Sequence, residues 1–207
     1  MAGLYPAKLS AKPESWRLFS IRKADPAFQT FSNQVFERDQ YTCNFCGFQA
    51  RQYQEVVNLD GNYHNNKLSN LVTACCFCSQ CFFLEAVGKS DYGGGVLVYL
   101  PEISQGDLNG FCHVLFCATA NATSYRIDAQ SIYRGLISRS QVVEKQLGEG
   151  MSDPALLGRM LIDVPDKDRT KIWEEILMPL RLLPSNTKFA KQVDAWSQES
   201  LEELATE

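Results

Sequence analysis

Two C-x-x-C knuckles constrain this chain more than any other feature. Cys43-Asn44-Phe45-Cys46 is followed, after 28 intervening residues, by Cys75-Cys76-Phe77-Cys78. Knuckles of this kind place four thiolates where a single tetrahedral ion can collect them, with Zn–S near ~2.3 Å. The 207 residues hold eight Cys and only two His, His64 and His113. Core thiols have no reason to gather in two short clusters, so one structural zinc is expected. Gly47, directly after Cys46, permits the tight turn that aims backbone amides at the sulfurs. Four thiolates leave no open position for water, so the expected ion is structural rather than catalytic.

Spacing alone leaves the second ligand pair open. Cys75, Cys76, Cys78 and Cys81 crowd together, and Cys78-x-x-Cys81 is as legal a knuckle as Cys75-x-x-Cys78. Cys112 and Cys117, five apart, share no helix face and read as core thiols. His113 and Cys117, four apart, do share a face, but no knuckle lies near them in the sequence.

Composition narrows the function classes. Lys+Arg total 20 against 24 Asp+Glu, a net charge of −4, which excludes gripping nucleic acid by bulk charge. No apolar run approaches the roughly 18 residues of a membrane span. The opening MAGLYPAKLSAKPESW lacks the basic-then-apolar plan of a secretory signal. A soluble, cytosolic protein is expected, and in a reducing compartment clustered thiols are metal ligands more often than disulfides.

Along the chain, residues 1–24 read as an irregular or short-strand lead-in. Asp25-Pro26 opens a helix, with Asp as N-cap and Pro at the first helical position; Phe28, Phe31 and Val35 follow, and it ends near Arg38-Asp39. The stretch from Tyr41 to Cys81 is turn-rich, with Asp60-Gly61 and Asn62, Asn65 and Asn66 marking turns. YGGGVLVYLP (92–101) reads as a glycine turn feeding a strand; a phosphate loop would need a helix there. Leu108, Phe111, Cys112 and Leu115, with Val114 and Cys117 on a second side, predict a helix buried most of the way round. Ala129, Ile132, Tyr133, Leu136 and Ile137 form a stripe continued by Val143 and Leu147 up to Gly148. Ser152-Asp153-Pro154 starts a third helix. Trp173, Ile176, Leu177 and Leu180 mark a fourth, limited by Pro179 and Pro184. A tail from Thr187 carries Phe189, Val193, Trp196 and Leu204 and ends acidic (Glu199, Glu202, Glu203, Glu207). The expected fold is α+β and mostly helical, with a small four-cysteine zinc module embedded in a helical body. The expected division is 1–35 lead-in and first helix, 36–84 zinc module, 85–207 helical body, all in one integrated domain.

Three segments together resemble the zinc-stapled core of the HNH endonucleases. They are Phe36-Glu-Arg-Asp-Gln-Tyr-Thr-Cys43 with Cys46, Glu55-Val-Val-Asn58-Leu-Asp-Gly-Asn62, and Leu68-Ser-Asn70-Leu71-Val-Thr-Ala-Cys75 with Cys78. The resemblance implies a ββα-type module and places the metal ligands at Cys43, Cys46, Cys75 and Cys78. It also shows what is missing. The catalytic histidine position holds Asn58, preceded by Val57, and the final ligand histidine position holds Ser79; only Asn70 survives of the three residues that name the family. Asn cannot act as a general base at neutral pH, so the resemblance implies a scaffold that kept its staple and lost its chemistry. His64 lies in the turn beyond and reads as an exposed loop residue. The competing readings are a residual nuclease and a nucleic-acid-binding zinc module; for the latter only Arg38, Arg51 and Lys67 stand near the module.

A wider resemblance covers nearly the whole chain. Gly47-Phe-Gln-Ala-Arg51, Leu68 through Phe83, Tyr92-Gly-Gly-Gly95, Tyr99-Leu-Pro-Glu102, Cys112-His-Val-Leu-Phe-Cys117, Ser152-Asp-Pro-Ala155 and Arg181-Leu-Leu-Pro-Ser185 are similar to the IcmJ (DotN) family of Dot/Icm type IVB secretion systems. This likeness implies a non-enzymatic cytoplasmic subunit of the type IV coupling complex, peripheral to the inner membrane. There it would bind the coupling ATPase DotL through that protein's C-terminal region, alongside DotM, IcmS, IcmW and LvgA, in effector translocation. Phe48 and Tyr53, aromatics beside the first knuckle, are the candidate partner contacts.

Overall fold

The computed structural model describes residues 4–89, 91–121 and 124–206, the side chains of residues 166 and 201–206 excepted. The class is α+β with helices dominant. Helices α1 (Ser15–Ala24) and α2 (Pro26–Arg38) precede strand β1 (Gln54–Asn58), strand β2 (Leu71–Cys75) and a single helical turn α3 (Cys76–Ser79). Strand β3 (Gly95–Tyr99) leads into α4 (Gln105–Ala120), α5 (Arg126–Ser138), α6 (Ser140–Leu147), α7 (Pro154–Ile162) and α8 (Asp166–Ile172). A π-helical turn (Trp173–Leu177), strand β4 (Leu180–Pro184) and helix α9 (Ala190–Thr206) complete the order. Among the described residues there are two sheets, each of two antiparallel strands: β1 with β2, pairing Gln54 to Cys75 and Asn58 to Leu71, and β3 with β4, pairing Gly95 to Pro184 and Tyr99 to Leu180.

Local signals placed several boundaries. The Asp25 carboxylate accepts from the Ala27 amide at the start of α2, and Asp153 does the same for Ala155 at the start of α7, each with Pro at the first helical position. Ser104 Oγ accepts from the Asp107 amide at 3.0 Å to open α4.

Four expectations are corrected. The 1–24 lead-in contains helix α1, because Trp16 and Phe19, three apart, drop into an aromatic cluster with Phe83 and Tyr92. Tertiary packing, not an amphipathic stripe, makes this helix. Helix α4 is not buried all round: Phe111 is 41% and Val114 65% exposed. Its inner face carries polar Gln105, Asn109 and His113 with the apolar Leu108, Cys112 and Phe116. The stripe running from Ala129 to Leu147 is broken at Arg139 into α5 and α6, and on α5 only Ala129 is fully buried. Leu180 is not helical. It begins strand β4, since Pro179 ends the preceding turn and Leu180, Leu182 and Leu183 are buried at pairing distance from β3. Of the acidic tail, Glu207 and the side chains of Leu204, Glu202 and Glu203 lie outside the described residues.

One core draws on the whole length of the chain. Phe77, fully buried, meets Phe116, Phe189 and Trp196 edge-on at 4.8–5.6 Å between ring centroids. Each such ring contributes about 1.5–3 kcal/mol by leaving water. A second core joins Leu9, Leu84, Leu97, Leu157 and Leu182 beneath α7.

Candidate metal centre

The site is assembled by three elements. The first knuckle is a turn closed by the Gly47 amide on the Cys43 carbonyl at 3.0 Å, with Gly47 at φ 77°, where a side chain would strain the backbone. It is tied back by the Cys43 amide to Phe48 O and by the Asn44 amide to Thr73 O. The second knuckle begins at the last residue of β2 and continues into α3, so Cys75 ends a strand and Cys78 lies one turn along a helix. Helix α4 roofs the pair.

The sulfurs of Cys43, Cys46, Cys75 and Cys78 all lie within 4.8 Å of one another, and Cys46 Sγ and Cys75 Sγ are 3.7 Å apart. A tetrahedron with Zn–S bonds of ~2.3 Å has sulfur–sulfur edges of roughly 3.8 Å. The donor set and its spacing therefore fit a thiophilic ion. Cys76 and Cys81 stand outside this group: the Cys81 thiol points at the Phe77 carbonyl at 3.4 Å. Cys112 is buried in the core, and Cys117 accepts from Asn121 Nδ2 at 3.3 Å.

The electrostatics agree. Burial opposes ionisation of Cys43, but hydrogen bonds from Cys46, Cys75 and Cys78 outweigh it and hold that thiol well below its ordinary range. Burial, reinforced by the neighbouring sulfurs, pushes Cys75 and Cys78 up. The cluster accepts one negative charge and resists the next, a conflict that a bound divalent cation removes.

Two groups outside the knuckles complete the shell. Asn109 Nδ2 donates to Cys78 Sγ at 3.1 Å, and His113 Nε2 lies 3.3 Å from Cys75 Sγ. His113 is sandwiched between Phe48, at 3.6 Å and 6°, and Phe77, at 4.2 Å and 14°. Burial lowers its pKa to about 3, so the ring is neutral, with Nε2 facing the sulfur. The sequence offered His113 a companion only in Cys117, one turn away; the structure turns it toward Cys75. The signal for both residues was Gln105, Asn109 and His113 at four-residue spacing, a polar line on the face of an otherwise apolar helix.

Phe48 and Tyr53 are both half-buried. Phe48 stacks on His113, and Tyr53 meets Trp196 edge-on at 6.4 Å. Asn58 and Ser79, the positions that the HNH resemblance sets against histidines, are buried and hydrogen-bonded. Asn58 Oδ1 accepts from Arg22 Nη1 at 2.6 Å, and its amide donates to the Asn62 and Asn65 carbonyls at 2.9 and 2.8 Å. Ser79 Oγ donates to Glu55, itself paired with Lys23, and lies 3.1 Å from the Tyr92 hydroxyl. Arg38 is committed as well, to Asp39 and to the Leu68 and Leu71 carbonyls. His64 is exposed on the loop between β1 and β2.

Fold and site together define a mostly helical α+β protein with four clustered thiols that could hold a metal ion. No family model matches the chain. The type 4 apparatus protein DotN of Legionella pneumophila subsp. pneumophila (strain Philadelphia 1) is 57% identical over 198 residues, covering 96% of this chain and 92% of that protein. The chain belongs to the DotN family.

Proposed function

We propose that this chain is a non-enzymatic, zinc-containing subunit of a type IV coupling protein complex. In this reading it binds the C-terminal region of the coupling ATPase DotL and supports effector secretion with DotM, IcmS, IcmW and LvgA. The carrying observation is family membership across 96% of the chain. Four thiols whose sulfurs lie within 4.8 Å of one another support zinc as the ion, held by Cys43, Cys46, Cys75 and Cys78. Bound there, zinc would clamp the two knuckles and thereby fix the β1–β2 hairpin against α4.

The order hairpin, short helix, four cysteines supports descent from an HNH-type module. The engagement of Asn58 and Ser79 with protein partners supports loss of its chemistry, since neither an amide nor a hydroxyl can act as a general base at neutral pH. Peripheral association with the inner membrane through partners is part of the same proposal; among the described residues no helix is long and apolar enough to cross a membrane. The outer edges of Phe48 and Tyr53 are candidate partner contacts.

Native mass spectrometry of the chain co-expressed with the DotL C-terminal region tests the reading. The expected species is a 1:1 complex carrying one zinc; a zinc-loaded chain that stays alone removes the partner. A plasmid-nicking assay with Mg²⁺ or Mn²⁺ should show no cleavage, and cleavage abolished by His64→Ala would overturn the non-enzymatic assignment.

A further inference from the structure

An open groove of about 730 Å³ lies between the chain's first extended segment and the α7–α8 region, floored by Phe45 and Phe82 of the knuckle region. Its segment is held by backbone bonds from Tyr5 N to Asn44 O, Ser10 N to Cys81 O and Leu84 N to Ser10 O. The groove is therefore preformed. Its walls keep bulky apolar groups partly open to water: Val164, Ile172 and Trp173 on one side, with Tyr5 and Leu59, 41% and 37% exposed, on the other. Apolar surface gathered in a concave site marks recognition more than isolated exposed side chains do.

The rim gives the occupant its sign. Among the described residues, Lys8 and Lys12 line the groove with one carboxylate, Asp60, on a chain of net charge −4, while Arg169 is committed to the Ala11 and Ile162 carbonyls. That carboxylate is turned into its own loop, accepting from the Asn62 amide at 2.8 Å and from Asn65 and Asn70 at 2.7 and 2.9 Å. Lys8 Nζ stands 4.5 Å above the Trp173 ring, so cation and apolar wall are presented together.

We infer that this groove docks an acidic segment of a partner protein that inserts bulky apolar side chains between Trp173 and Tyr5. The apolar side chains supply affinity and the lysines set approach and register. This site rests on the partner-binding reading above and adds a contact face separate from Phe48 and Tyr53.

The test uses the full, metal-loaded chain co-expressed with the DotL C-terminal region. A photo-crosslinking amino acid is placed at exposed Thr170, on the groove, and separately at Val114, on the outer face of α4. The expected result is a Thr170 crosslink mapping to an acidic stretch with bulky apolar residues. Lys8→Glu with Lys12→Glu should weaken binding about ten-fold at low salt, and Thr170→Trp, which fills the groove without touching the core, should compete with the partner. A complex that forms but crosslinks only at Val114, and is unmoved by these variants, overturns the groove while leaving the subunit reading intact. A Thr170 crosslink to a second copy of this chain overturns the acidic partner. No complex at all overturns both readings.

Discussion

Asn109 places its side-chain amide 3.1 Å from Cys78 Sγ, and Gln105 Nε2 holds the Asn109 carbonyl oxygen at 3.0 Å. Gln105 is in turn locked to β4, accepting from the Leu182 amide and donating to the Leu182 carbonyl. A relay of three residues thus couples a knuckle sulfur to the second sheet. Asn109→Ala removes the N–H···S bond and leaves a buried gap. The expected outcome is metal affinity lower by about ten-fold, read by competition with a chromophoric chelator, with secondary structure retained at saturating zinc.

Loss of a knuckle sulfur is more severe. A four-thiol zinc site contributes on the order of 10–16 kcal/mol in apparent terms, as large as the stability of a domain. Cys43→Ser and Cys78→Ser should yield insoluble or unfolded chain, whereas Cys81→Ser should keep one zinc per chain by elemental analysis. A folded, zinc-loaded Cys78→Ser protein would show that the ligand set is wrong.

Arg22 is a buried guanidinium with neutral partners. It donates to Asn58 Oδ1, Asn66 Oδ1 and the Val56 carbonyl, and its charge lies 4.3 Å from the Phe28 ring centroid. Burial lowers its pKa to about 10, so it stays charged at neutral pH. Arg22→Met strands three acceptors in the hairpin and should cost about 2–4 kcal/mol in denaturant unfolding. An unchanged midpoint would show that the loop does not depend on this arginine.

Glu85 supplies a pH dependence of definite sign. Gly158 lets α7 lie directly on the Leu84–Glu85 backbone, where any Cβ would collide, and this burial leaves Glu85 Oε2 without a partner. Burial raises its pKa from 4.5 to about 7 despite Lys89 nearby. Between those values the folded state binds the extra proton, so stability falls as pH rises through the window, by up to roughly 3 kcal/mol above pH 7. Glu85→Gln should flatten this slope and raise the melting temperature at pH 8. Thermal scans from pH 5 to 8 on both proteins check it, and parallel curves would refute it.

The parts of this architecture readable from sequence were those written in local chemistry. Asp25-Pro26 and Asp153-Pro154 carry their own caps, and the knuckle spacing located the four sulfurs once a family register chose between Cys75-x-x-Cys78 and Cys78-x-x-Cys81. What escaped was determined at long range. Helix α1 exists because Trp16 and Phe19 find Phe83 and Tyr92, more than sixty residues on. Leu180 became a strand residue because β3 offers it a partner. Asn109 drew no notice, and His113 drew it only beside Cys117, because a polar residue on a buried helix face has meaning only when the group opposite is known, and that group is a sulfur from another element.

The end of the chain closes over its middle: Trp196 Nε1 donates to the Gln52 carbonyl at 3.0 Å, and the Arg51 amide donates to Glu199 Oε1 at 2.7 Å. During synthesis all four thiols are added by residue 78, whereas α9, which covers the knuckle loop, begins only at Ala190. The packing of Trp196 over Phe48 and His113, beside the thiols, must therefore follow the synthesis of all four cysteines by more than a hundred residues.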